Sequence, residues 1–188
     1  MSAVTREELE AGLEEIRAAP KDGGVVQLIV RRPAVGGREV LEEGLLDRVH
    51  GLVGDNWETR GSSRTADGSA HPAMQLNIMS ARAIALIARD KTRWPLAGDQ
   101  LFVDMDLSEA NMPPGTRLMM GSAIVEVTEI PHTGCDKFHK RFGFEATKFV
   151  NSAEGRSLHL RGLNARVVES GCVRVGDVIR KTPRQSPE

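Results

Sequence analysis

The stretch Pro-His-Thr-Gly-Cys-Asp-Lys-Phe-His-Lys-Arg-Phe-Gly, residues 131–143, places a thiol between two imidazoles and ahead of a run of cations. Read as a short helix, it puts Phe138 and Phe142 on one face. His139 follows Cys135 by four positions, about 40° away round the axis. Gly134 loosens the entry, so Cys135 falls at or near the helix N-terminus, where exposed amides favour an anion. Lys137 and Lys140 add positive potential. These are the features that lower a thiol's pKa and make a thiolate available. A thiolate can attack as a nucleophile, carry sulfur as a persulfide or bind a soft metal. Two other readings stand beside this one. Free cysteine is among the most buried residue types, and Cys135 lies on roughly the side of the two phenylalanines, so it could simply pack. His132, Cys135 and His139 could also serve zinc, although a fourth ligand and the usual paired-cysteine spacing are missing.

The second cysteine, Cys172, follows a Gly turn into a β-type run and reads as a packed strand residue. His50 and His159 have no catalytic neighbours in sequence. The polar segment 57–72, rich in Ser, Gly and charge, reads as a long loop carrying Arg60, Arg64 and His71. No phosphate-binding P-loop, nucleophile elbow, zinc-protease motif or dinucleotide fingerprint is present.

The elements that must hold these residues come from a chain of 188 residues, enough for one domain with an appendage. A net charge of −1 argues against a nucleic-acid scaffold, since phosphate binding needs a positive excess. The charged N-terminus lacks the apolar core of a secretory signal, and no apolar run is long enough to span a bilayer. Two cysteines cannot build a disulfide framework. The expected setting is a reducing cytoplasm, which keeps a lone thiol available.

Residues 5–19 read as a helix: Thr5 and Glu8 have capping-box spacing, and Leu9, Leu13 and Ile16 form one stripe. Pro20 stops it, and residues 1–24 are expected to form a helical appendage. Residues 80–90 read as a second helix, with Ser80 as N-cap. Strand-like runs occupy 25–31, 38–44, 74–79, 101–105, 117–120, 123–130, 165–168, 172–175 and 178–181. Gly98-Asp99, Gly121-Ser122 and Gly176-Asp177 punctuate them as tight turns. Many short strands joined this way predict a mostly β, α+β protein with a barrel or sandwich over 25–182. The tail 183–188 is expected to be disordered.

The order of these pieces resembles the MOSC domain, named for the C-terminal part of molybdenum-cofactor sulfurases. The matching segments are Gly98 to Asp106, Pro114-Gly115, Gly121 to Thr128, Cys135, Ala165 to Val167, and Gly171 to Val178, with Gly-Leu-Val-Gly-Asp-Asn-Trp at 51–57 as an earlier Gly-acidic turn. The resemblance spans about residues 25–182. It implies a MOSC-type β-barrel with a few peripheral helices. It also implies that Cys135 matches the family's functional cysteine, either a persulfide carrier or a ligand to molybdenum in a bound molybdopterin. His139 would assist Cys135 in catalysis. Arg60, Arg64, His71, Lys137, Arg161 and Arg166 are the candidates to hold such a cofactor's phosphate and oxygens. The implied activity is sulfur transfer, or reduction of N-oxygenated compounds with a sulfur-donor or electron-donor protein as partner. The chain has no room for the pyridoxal-phosphate domain of the sulfurases. The alternative is a non-catalytic barrel that binds a small sulfur-containing ligand or a protein. Oligomeric state is not legible.

Overall fold

The computed structural model describes residues 4–183, so most of the tail expected to be disordered lies outside the described residues. Thr5 caps α1 (Arg6–Ala11) through the expected capping box: its hydroxyl accepts the Glu8 N–H, and the Glu8 carboxylate accepts the Thr5 N–H at 2.8 Å. The helix expected over 5–19 is divided at Gly12, and α2 (Leu13–Arg17) continues it. Gly12 lies flat on Leu86; a Cβ there would meet its Cδ2 at 2.5 Å. There follow β1 (Gly24–Arg31), β2 (Glu39–Leu41), β3 (Glu43–Asp47), β4 (Gly51–Leu52) and α3 (Trp57–Arg60). After a 3-10 turn at Pro72–Met74 come β5 (Leu76–Ser80), α4 (Ala81–Ala88) with Ser80 as its N-cap, and a 3-10 stretch at Lys91–Ala97. The second half holds β6 (Leu101–Asp104), β7 (Arg117–Met120), β8 (Ala123–Val127), α5 (Asp136–Phe142), α6 (Phe144–Asn151), α7 (Ala153–Ser157), β9 (Leu163–Glu169), β10 (Gly171–Arg174) and β11 (Val178–Thr182).

Seven strands close on themselves in the order β1-β6-β5-β9-β8-β7-β11 and back to β1. The pairs are antiparallel except β5 with β6. β2 extends the far half of β1, and β10-β3-β4 form a separate small sheet. The barrel interior is hydrocarbon, including Ile29, Ile78, Leu101, Val125, Ala165 and Ile179. A second cluster lies outside the barrel. The helices and Trp94 cover Leu28, Val30, Met79 and Phe102 on the outer face of β1, β5 and β6. Val26 and Ile29 both reach the interior although three positions apart. A register shift between Val26 and Leu28 inserts the extra residue that makes this parity work.

The polar segment 57–72 is not all loop, because α3 occupies its start and buries Trp57. Residues 144–157 lie outside the elements expected from the sequence. They form α6 and α7, which bury only Ala146, Val150 and Gly155. No helix among the described residues is long and apolar enough to cross a membrane.

Candidate functional site

The C-terminal end of β1 and the N-terminal ends of β5 and β6 meet at one end of the barrel, with β9 running antiparallel beside β5. There the interior changes from hydrocarbon to a buried polar layer. Arg32, just past β1, forms a fork with Asp55: Nε donates at 2.8 Å and Nη2 at 2.7 Å, and the Arg32 N–H adds a third bond at 2.9 Å. Its Nη1 donates to the Gly98 carbonyl at 2.8 Å. Asn77 Nδ2 donates to Asn164 Oδ1 at 2.6 Å across β5 and β9. Gln100 receives the Asn77 N–H at 2.8 Å. Each of these groups is buried and partnered, as the loss of water demands.

Asp99 is the centre of the layer. It is 0% exposed, and both its oxygens accept from Arg161 Nη1, at 2.9 and 2.7 Å. Arg161 Nη2 donates to the Ala97 carbonyl at 2.9 Å, and its guanidinium stacks 4.9 Å from the Phe138 ring of α5. His132 approaches from the other side, with Nδ1 at 3.4 Å from Asp99 Oδ1. Burial pushes the Asp99 pKa up, and Arg161 and Arg32 pull against it. Burial, then the charges of Arg161 and Arg32, hold the His132 pKa well below the ordinary imidazole value, so His132 is neutral.

Further arginines gather round the same turn. Arg38 Nε donates to Pro95 O at 2.9 Å, and Arg141 Nη1 donates to Leu96 O at 2.6 Å. Gly98, with φ at +91°, lies between them: a Cβ there would stand 3.5 Å from Arg38 Nη2 and 3.8 Å from Arg141 Nη1. The pKa of Arg38 is lowered by burial and then by Arg141 and Arg32; that of Arg60 is lowered by partial burial and by Arg32. Arg32, Arg38, Arg60, Arg141 and Arg161 therefore crowd around two carboxylates, Asp55 and Asp99, and the excess charge is positive.

The segment 132–141 touches this turn at both ends, through His132 and Arg141, with Cys135 between. Cys135 is exposed and is the N-cap of α5, with extended φ −118° and ψ 177°. The expected helix is present, and it buries Phe138 and Phe142 with ring centroids 4.9 Å apart. Cys135 does not share their buried face, which removes the packing alternative. Cys135 opens α5 as expected: its carbonyl accepts the His139 N–H at 2.9 Å, while its own extended backbone puts it just outside the seven helical residues. His139 is exposed, and its ring meets Phe144 edge-on at 6.2 Å. The loop itself is anchored. Gly134 N–H donates to Asn151 Oδ1 at 2.9 Å, and Asn151 Nδ2 returns a bond to Gly134 O at 3.0 Å. A Cβ on Gly134 would lie 2.9 Å from Val150 Cγ2, so only glycine fits against α6.

The other expected cofactor residues are divided. Arg161 belongs to the site, but its Nη groups are committed to Asp99 and Ala97, leaving Nε buried without a hydrogen-bond partner. Arg60 contributes positive potential from the end of α3. Lys137 is exposed on α5. Arg64 is exposed on the loop, and His71 caps the 3-10 turn by accepting the Ala73 N–H at 3.2 Å. Arg166 is elsewhere: it stands on the outer barrel wall in register with Glu126, which it shares with Arg117. Five positions after Arg161, its strand has already turned it away from the polar layer. The zinc reading finds no support, since among the described residues no group of three or more His, Cys, Asp or Glu could hold a metal ion. Sequence reasoning missed Arg32, Arg38, Asp55, Asp99, His132 and Arg141 as one group. The two Gly-Asp turns at 54–55 and 98–99 were the only local signal.

A closed seven-stranded barrel with helices on one outer face and an anchored, cysteine-bearing loop at one polar end defines the class of protein. The MOSC domain model matches residues 63–180, and the chain belongs to the MOSC domain family. The fold is similar to YUAD protein from Bacillus subtilis, with a TM-score of 0.63, 17% identity and coverage of 86% of this chain and 97% of that one. It is similar also to YiiM from Escherichia coli, with a TM-score of 0.57, 19% identity and coverage of 87% and 72%. A comparison with curated proteins finds no match.

Proposed function

We propose that this MOSC protein works through Cys135 as the single thiolate ligand to molybdenum in a molybdopterin cofactor. The observation that carries the reading is the excess of arginine around Gly98–Asp99, on the turn that the Cys135 segment touches at both ends. Like charges crowded together repel, and a bound polyanion relieves that repulsion. The donors suit an oxygen-rich, phosphate-bearing ligand: guanidiniums make forked bonds to phosphate, and Arg161 Nε has none of its bonds made. Arg38, Arg60 and Arg141 are the groups to hold the phosphate, with Arg32 held back by Asp55. Cys135 needs nothing more than access and a fixed loop, and it has both. Bound there, the cofactor would supply two-electron reduction of N-oxygenated compounds, with electrons from an external donor protein.

A second reading is favoured by the exposure of the thiol. Cys135 could accept sulfane sulfur from a donor persulfide: its thiolate attacks the terminal sulfur and the donor leaves as a thiolate, with no change in total oxidation. Both readings place the protein in a reducing cytoplasm, where its two cysteines stay free.

The deciding experiment is metal and pterin analysis of protein purified from a molybdenum-replete host. The cofactor reading expects molybdenum and pterin together, both lost in Cys135→Ser or in Arg38→Ala/Arg141→Ala. Sulfane sulfur on Cys135 with no molybdenum selects the carrier. Neither in repeated preparations, with a Cys135 thiol that no persulfide donor modifies, leaves the binding module.

A further inference from the structure

On the barrel side of the Cys135 loop lies a cavity of about 280 Å3. Its floor is hydrocarbon: Met112, Val127 and Leu163 line it, and all three are buried. Two imidazoles, His132 and His159, face it as well. We infer that this cavity is a binding site for a small uncharged molecule with a mainly hydrocarbon body and one N–H or O–H group, which His132 receives at Nε2.

Size sets the first limit. The volume is at the low end for ligand cavities, which suits a molecule of about ten to fifteen non-hydrogen atoms. Charge sets the second. Glu109, Glu129 and Arg156 stand only at the exposed rim, with both signs present, and the buried floor offers no ion a partner. Burying an ionised ligand against hydrocarbon is costly, so a neutral one is selected.

The imidazoles set the third limit. His159 Nδ1 lies 2.6 Å from the Leu107 carbonyl, which can only accept, so Nδ1 carries a proton. His132 holds a proton on the same nitrogen by a different route. Its Nδ1 is buried and 3.4 Å from a carboxylate oxygen of Asp99. A lone pair there would face negative charge, so the proton belongs on Nδ1 and the lone pair on Nε2. The groups that face His132 are Asp99, Arg161 and Arg32, with Glu109, Glu129, Arg156 and His159 around the cavity. The two arginines and burial keep a second proton off. An imidazole that stays a neutral acceptor at the edge of an apolar cavity chooses ligands that donate. A ligand without a donor leaves that lone pair unmet, and one hydrogen bond is worth about 2- to 10-fold in affinity. This site does not depend on what Cys135 binds, so molybdenum analysis and the measurement below fail separately.

The test is nitrogen NMR of the full chain labelled with 15N-histidine, with phenol as the probe. His132, assigned by its absence in His132→Gln, is expected as the Nδ1–H tautomer, unchanged from about pH 5.5 to about pH 8. Phenol is expected to shift the His132 Nε2 resonance saturably and to leave His50, His71 and His139 unmoved. Leu163→Phe, which fills the floor, should weaken that response several-fold while the tautomer stays. A proton on Nε2, titration near the ordinary imidazole pKa, or a phenol response shared by all histidines would overturn the inference. The first two outcomes are read in the wild-type spectrum, and if His132→Gln does not fold the resonance is assigned by through-bond correlation from the backbone instead.

Discussion

Arg161→Met is the sharpest probe of the polar layer. The side chain is 6% exposed and Asp99 is 0% exposed, so no water replaces the guanidinium when it is removed. Methionine keeps the unbranched stem and ends near the position of Nε, so the guanidinium's charge, its bonds and its contact with the Phe138 ring are lost together. The deleted interactions are the two bonds to Asp99 and the one to Ala97. Breaking a buried ion pair from one side costs about 3–5 kcal/mol, because the surviving charge is left in a low dielectric. For a chain of this size each kcal/mol lowers Tm by about 2–4 °C, so a fall of about 10 °C is expected. The deficit also has a pH signature. Burial already raises the Asp99 pKa, and without Arg161 its largest opponent is gone, leaving mainly Arg32 to pull against the rise. A carboxyl whose folded pKa is raised is most stabilising below its unfolded value and loses that stability as pH rises through the folded value. The gap between parent and variant in urea melts should therefore narrow as pH falls from neutral. Asp99→Asn in the Arg161→Met background should recover at least half of the loss. A deficit below about 1 kcal/mol, or a double variant no better than the single one, would refute the view of this pair as a buried, mutually dependent charge couple.

Three other outcomes follow from the same geometry. His132 is neutral when folded but takes a proton when unfolded below about pH 6.5, so the parent should lose stability there at up to about 1.4 kcal/mol per pH unit, and His132→Gln should lose less, measured by urea melts from pH 7.5 to 5. Asn151→Ala strips both bonds from Gly134 and should cost about 1–2 kcal/mol, with faster amide exchange confined to the Cys135 loop. Thr5→Ala removes the capping box and should cost about 1 kcal/mol, read as lost protection in α1 alone.

Much of the architecture was legible because local rules produce it. Ser80 and Thr5 cap helices where their spacing predicts. Gly98, Gly121 and Gly176 take positive φ at the expected turns. The segments 144–157 and 57–60 were not legible, because their helices bury few apolar groups and owe their shape to neighbours. Within the site, Cys135 could be read from its own neighbours in sequence. Its exposure could not, because one non-helical residue at the N-cap decides which way the side chain faces.

Strand periodicity, turn residues and caps act over a few positions, so the chain alone determined a β-rich barrel or sandwich, helices over about 5–19 and 80–90, and a cysteine ahead of a short helix. The polar layer is of another kind. Arg32, Asp55, Asp99, His132 and Arg161 are ordinary surface-type residues in a one-dimensional reading, far apart along the chain. Only closure of the barrel brings them out of water and against one another. Desolvation and pairing then decide which charges survive, which imidazole stays neutral and where an anion can settle.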